Sequence, residues 1–251
     1  MTGAESAGGA PSLAVASLGS VCFTRWNVCR RLGLPYLTSP FDNLENRTQY
    51  QFLNILELLY HNFLQVAEAD LEYRERQGTA LDNGRPRVFK GYTYVGKKLL
   101  TPFILPHFLD RLDGGDPWER WRHKCAAFQA ALRDRSARLL LVSLRLNDGK
   151  WEDTPERRAY LAGDLRHLAA FLSEHYGRTP ADCRLLSLVA ARDVAEPRVE
   201  AESPLFRQVA IPAGDEADTP YYKRRPRREY VDLARQYMEE FNQQPEKEPL
   251  K

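Results

Sequence analysis

Two short apolar runs constrain this chain more than any other feature. Arg138 is followed by Leu139-Leu140-Leu141-Val142-Ser143-Leu144-Arg145, and the stretch from Leu185 to Ala190 repeats its character. Runs of this length without polar alternation are expected of strands buried on both faces. Between them, Pro155 to Tyr176 has the spacing of an amphipathic helix and ends at Gly177, a residue suited to the left-handed backbone that closes a helix. Strand, long helix, strand is the pattern of a crossover between parallel strands. The expected fold is therefore α/β: three layers, with a largely parallel central sheet flanked by helices, in a single domain.

The rest of the chain agrees. Leu13-Ala14-Val15-Ala16 begins a strand expected over 13–19, and a helix is expected over about 22–32. A Pro-rich turn runs through Pro35 and Pro40. A second helix is expected over 47–67, where Phe52, Ile55, Leu56, Leu59 and Phe63 share one face. Asn83-Gly84 signals a turn, with Val88, Tyr92 and Tyr94 in a strand or hairpin. Asp116-Pro117 opens a helix expected to reach 136, with Trp121, Cys125, Phe128 and Leu132 along its buried stripe. A weaker strand near Phe206 to Ile211 and a helix over 229–241, with Tyr230, Leu233, Tyr237 and Phe241 on one face, complete the pattern. Of the 251 residues, 12–241 are expected to form the domain. The small, unpatterned residues 1–11 and the polar, Pro-broken residues 242–251 are expected to be disordered tails.

Cys22 stands where the first strand ends and a helix begins, in Ser17-Leu18-Gly19-Ser20-Val21-Cys22-Phe23. A thiol there sits beside backbone N–H groups and a helix dipole, both of which favour the nucleophilic thiolate. Ser17 and Ser20 flank the turn; Ser20 is placed to cap the helix while neighbouring N–H groups receive a developing oxyanion. Cys29, Cys125 and Cys183 fall within apolar stripes or at a strand edge, as core residues do. A buried, unreactive Cys22 is the competing reading, since Cys22, Trp26 and Cys29 share one helical face.

The Ser-Leu-Gly-x-x-Cys turn, the Pro40-Phe41-Asp42 element and the segment Phe103-Ile104-Leu105-Pro106-His107-Phe108 together resemble the family of papain-like cysteine peptidases of unknown function. The resemblance spans roughly residues 13 to 145, with Asn43 where the family commonly carries Trp and Phe108 in the histidine segment. It implies a Cys-His-Asp set of Cys22, His107 and Asp42, and it alone implies peptidase activity. Family and pattern diverge on fold: papain-like enzymes put cysteine and histidine on separate lobes, whereas the periodicity here points to one α/β sheet, where a nucleophile also follows a strand in hydrolases.

A cysteine nucleophile needs a base and a group to orient it. His61, His123, His167 and His175 read as surface or edge residues of helices, whereas His107 follows Pro106 in an apolar loop and can face a cleft. Asp42 either orients that imidazole or caps a helix beginning near Asn46.

Lys223, Arg224, Arg225, Arg227 and Arg228 place five cations within six residues. They form either a solvated loop or a clamp for an anionic ligand or an acidic protein partner. With 36 basic against 34 acidic residues, net charge +2, the chain carries no general attraction for nucleic acid, and sequence-specific binding is not expected. No nucleotide or metal motif occurs, so no cofactor is implied. No apolar stretch reaches the roughly 20 residues a membrane span requires, and the start lacks a signal-peptide pattern, so a cytoplasmic location with reduced thiols is expected.

Three functional readings stand at this stage. The first is a cysteine hydrolase or acyltransferase acting on a peptide or small acyl substrate. The second is a non-proteolytic tailoring enzyme acting on an anionic or carrier-bound metabolite. The third is a non-catalytic accessory protein that binds an acidic partner through 223–228.

Overall fold

A computed structural model of the chain describes residues 12–19, 24–25, 28–43, 51–61, 71–82, 85–94, 104–105, 117–146, 153–213 and 228–243. Its centre is a five-stranded sheet in the order β1 (Leu13–Ser17), β5 (Arg138–Arg145), β6 (Cys183–Ala191), β8 (Phe206–Pro212), β7 (Arg198–Glu202). All neighbours are parallel except β7, which runs antiparallel to β8 at the edge. A separate three-stranded antiparallel sheet is formed by β2 (Leu71–Asp82), β3 (Arg85–Tyr94) and β4 (Ile104–Leu105). Asn83-Gly84 lies outside the described residues, but its flanks Asp82 and Arg85 pair with each other, as the turn signal requires.

Side-chain alternation along the strands separates two cores. Leu139, Leu141, Leu185 and Phe206 belong to one face, covered by helices α1 (Gln51–Tyr60), α2 (Pro117–Arg133) and α3 (Pro155–Tyr176). Leu140, Val142, Leu144, Leu186 and Leu188 belong to the other, covered by Val28, Cys29 and Leu32 and by helix α4 (Arg228–Gln243). This is the expected three-layer α/β arrangement. No described helix is long and apolar enough to cross a membrane.

Helix α3 fits the sequence reading end to end. Thr154 caps it by accepting from the Arg157 amide, Pro155 occupies its first turn, and Gly177 closes it at φ 65°. Helix α2 buries Trp121, Cys125, Phe128 and Leu132 as its stripe predicts. It stops at Arg133, short of 136, because the buried guanidinium of Arg178 caps it: Nε donates to Leu132 O (2.9 Å), Nη2 to the carbonyls of Ala131 and Asp134, and Nη1 to Ala137 O (3.0 Å). Helix α4 extends to Gln243, past the expected domain limit at 241.

Other expectations need correction. The first strand ends at Ser17 rather than at 19. The helix expected to run to 32 is broken: Val28 lies in a turn, Cys29–Arg31 form a short 3-10 turn, and Gly33 at φ 74° reverses the chain. The geometric reason is distance. The chain must bury Cys29 and still return within a few residues to β1, where Val15 N donates to Pro35 O and Leu37 N to Val15 O, both at 2.9 Å. Strand β7 has no apolar run to announce it, being Arg198-Val199-Glu200-Ala201-Glu202.

The contact at 35–37 sets the topology of the sheet. Tyr36 bridges Val15 in parallel on the side of β1 away from β5. From β1 the chain therefore goes first to one side, by way of the Val28–Leu32 face, and later to the other side along the face of α1 and α2. Right-handed crossovers in opposite directions must lie on opposite faces. The connection leaving β1 on the Val28–Leu32 face and the one leaving β5 through α3 on the opposite face diverge at the carboxyl ends of β1 and β5, the switch point where open α/β sheets leave a crevice for ligands.

Candidate functional site

Among the described residues, a group of polar, buried side chains hydrogen-bonds around that switch point. Beyond Ser17 the chain leaves the strand, yet the four backbone groups that follow all have partners, the first of them still on β5. Leu18 N donates to Val142 O (2.8 Å), and Leu18 O accepts from Gln51 Nε2 (3.4 Å). Gly19 N donates to Ser17 Oγ (3.0 Å), and Gly19 O accepts from Thr24 Oγ1 (3.0 Å). Gly19 has φ 77°, a backbone state that costs other residues about 1 kcal/mol or more. Ser17, Thr24 and Gln51 are all almost completely buried. A turn whose start is held at every amide and carbonyl is the kind of rigid element on which a nucleophile is presented.

Beneath the turn, Gln51 in the first turn of α1 also donates to Ser143 Oγ (2.7 Å) and accepts from Arg145 Nη2 (2.8 Å). Ser143 and Arg145 project from β5 towards α1, alternating with Val142 and Leu144 of the opposite core. The Asp164 carboxyl on α3 lies near this end of α1, where the Leu53 amide favours its charged form against the effect of burial.

A second cluster surrounds Asp42, in a 3-10 turn at Pro40–Asn43. Its Oδ1 accepts from the Tyr36 hydroxyl, its Oδ2 from Ser39 N (3.1 Å), and Arg25 Nη1 pairs with Oδ2 at 3.5 Å. The guanidinium groups of Arg25 and Arg30 lie 5.3 and 5.5 Å from the Tyr36 ring centroid. Burial pushes the Asp42 carboxyl above its ordinary range, while Tyr36, Arg25 and Ser39 pull it back. These partners of Asp42 lie in the preceding loop and in the segment after Cys22; residues 44–50, where the helix it was expected to cap begins, lie outside the described residues.

Of the expected site residues, Ser17, Asp42 and Arg228 are described; Ser17 ends β1, five positions before Cys22, and Asp42 pairs with Arg25, three positions after it. Ser17 Oγ accepts from Gly19 N–H, so this amide is committed to the turn. Cys22, Ser20 and His107 lie outside the described residues, as do Lys223, Arg224, Arg225 and Arg227. Arg228 opens α4, 92% exposed, with Asp232 at 3.5 Å.

The remaining thiols are core residues. Cys29, Cys125 and Cys183 are buried, and burial drives all three well above the ordinary thiol range, Cys183 to about 12. None supplies a thiolate near neutral pH. His61, His123, His167 and His175 are exposed, as their helix positions imply. Among the described residues no group of His, Cys, Asp and Glu converges on a metal position.

The sequence analysis did not single out Gln51, Thr24 or Arg145. Helical periodicity carries no mark for a buried Gln51, but a Ser143 and an Arg145 within an otherwise apolar strand were a readable sign that β5 ends against polar partners. Comparison with protein-family models, curated proteins and solved structures finds no match.

Proposed function

We propose that the chain is a cysteine-dependent hydrolase or acyltransferase that acts at the carboxyl ends of β1 and β5, with Cys22 as nucleophile. The Cys22 thiolate attacks the carbonyl carbon of an amide, ester or thioester. His107 takes the thiol proton and returns it to the leaving group, and the acyl-enzyme passes its acyl group to water or another acceptor. Asp42 is the third member of the set and orients His107; peptidase specificity rests on the family resemblance alone.

One observation carries this reading: the turn leading to Cys22 begins at the topological switch point and is locked by Ser17, Thr24 and Gln51. Two further facts support it. The carboxylate assigned to the set is buried against Arg25, three residues after Cys22, and the three described thiols are too deeply buried to compete.

The test is the pH dependence of Cys22 alkylation by iodoacetamide in wild type, His107→Ala and Asp42→Ala, with the other three cysteines as references. An apparent pKa well below the ordinary ~8.5 that rises in His107→Ala supports the set. A Cys22 with an ordinary pKa, or one indifferent to His107, sinks it.

A further inference from the structure

We propose that a cavity at the amino ends of β6 and β8 binds a small zwitterion, a free α-amino acid, with its carboxylate at Arg184 and its ammonium group at Glu240 and Glu202. The site lies at the end of the sheet opposite the β1–β5 switch point, and it stands independently of the cysteine reading.

The cavity has a volume of about 270 Å3 and is lined by Arg184, Glu202, Ser203, Pro204, Arg207 and Glu240. Strand register brings its two guanidinium groups together. Leu186 pairs with Arg207, so Arg184, two residues before Leu186, shares with Arg207 the face that α4 covers. Ser203 and Pro204 connect β7 to β8, and this wall is fixed: Ser203 N donates to Phe206 O at 2.8 Å, and Ser203 Oγ accepts from the amides of Leu205 and Phe206, both at 3.3 Å. Glu240 comes from the last turn of α4. A volume below the roughly 300–1,000 Å3 of pockets for drug-sized ligands suits a small metabolite.

The charges in the lining select its chemistry. Arg184 is only 4% exposed; its Nε donates to Pro180 O at 3.4 Å, and its guanidinium carbon lies 5.0 and 5.7 Å from the ring centroids of Phe241 and Tyr237. Arg207 lies 4.8 Å from the Tyr237 centroid and is bridged by two carboxylates, through Nε to Glu202 Oε1 at 2.8 Å and through Nη1 to Glu240 Oε2 at 2.7 Å. Arg207 with its two carboxylates carries a net negative charge, to which the last carbonyls of α4 add. Opposite signs thus line one small cavity. A lone anion would meet the two carboxylates, and a lone cation would meet the buried guanidinium of Arg184; a molecule carrying both charges suits both.

Tyr237 supplies a further observation. It is buried beside both guanidinium groups, and its hydroxyl, with Arg184 nearby, has no hydrogen bond of ordinary geometry among the described residues. A hydroxyl buried in that state is a place for an added acceptor. Burial pushes Tyr237 up to about 12, so the hydroxyl keeps its proton at neutral pH and can donate to a carboxylate held at Arg184.

The test titrates the full chain with each free proteinogenic amino acid, by calorimetry and by thermal melting. Acetate, inorganic phosphate, and the α-amide and N-acetyl derivatives of the tightest binder serve as probes that lack one of the two charges. At least one amino acid is expected to give saturable heat and a raised melting temperature, with its amide and N-acetyl derivatives weaker by about tenfold or more. Arg184→Gln is expected to weaken the amino acid by about tenfold or more. Glu240→Gln, at a side chain 36% exposed, is expected to act in the same direction and carries the test if Arg184→Gln does not fold. Absence of saturable binding by every amino acid overturns the proposal, and so does binding that both variants leave unchanged. Acetate or phosphate binding as tightly as the amino acid overturns it in favour of a simple anion site.

Discussion

The Thr24 hydroxyl donates to the Gly19 carbonyl at 3.0 Å, a clasp between the two described residues that bracket positions 20–23, Cys22 among them. Both groups are buried, so the carbonyl has no water to fall back on. Thr24→Val keeps the shape and deletes the donor, leaving a buried acceptor without that partner at a cost of about 1–3 kcal/mol. The expected outcome is a lower melting temperature and a slower Cys22 alkylation at neutral pH, with Thr24→Ser close to wild type. Equal reactivity in Thr24→Val and wild type would show that the clasp is irrelevant to the thiol.

Arg178 predicts a large loss of stability. It is fully buried, and its guanidinium serves carbonyls at the end of α2 and in the loop before β5. Arg178→Met would fill most of the volume but leave several of those carbonyls unsatisfied, destabilising the protein by about 3 kcal/mol or more. Urea or thermal unfolding measures this, and a change below about 1 kcal/mol would mean that water replaces the guanidinium at the helix end.

Asp164 gives a pH prediction with a definite sign. Burial raises its carboxyl above the ordinary value of 3.8, against the opposing pull of His167 and the Leu53 amide. The folded state therefore binds the proton more tightly than the unfolded state, and stability falls as pH rises from about 3.8 through the folded value. Asp164→Asn keeps an acceptor for Leu53 N and loses the titration. Its stability relative to wild type should increase with pH across that window and then level off. Denaturant titrations at several pH values check it, and a pH-independent difference would contradict the assigned shift.

The core thiols yield a fourth expectation. Cys29, Cys125 and Cys183 should resist iodoacetamide at pH 8 in the folded protein and react fully in denaturant, since burial both blocks access and suppresses the thiolate. Rapid native-state labelling of Cys29 would show that the Val28–Leu32 segment opens locally.

The sequence revealed most where a single physical force decides. Strand β5 was legible to the residue because apolar burial on both faces leaves no alternation to misread, and α3 because Thr154, Pro155 and Gly177 mark its ends by local chemistry. Strand β7 was not legible: an edge strand is held by backbone pairing to β8, which does not depend on its charged side chains. The break after Val28 was hidden for a related reason. Cys22, Trp26 and Cys29 have helical spacing, but the pairing of Val15 with residues 35–37 overrides local preference. For the polar cluster at the end of β1, the sequence did not point to the groups that hold it, because Gln51 and Ser143 meet from positions 92 residues apart.

The two borders of the central sheet are unlike, yet they have a common result. One is covered by the chain's own residues 35–37, whose backbone occupies the groups of Val15 that would otherwise point outward. The other is β7, five residues long, bearing Arg198, Glu200 and Glu202 and kinked by a register shift between Val199 and Ala201. A short, charged, irregular border is a poor template for another molecule's strand. Self-association by sheet extension, the common path from an apolar parallel core to fibrils, is thus obstructed at both ends. Removing the charges of β7 is where amyloid propensity would first emerge.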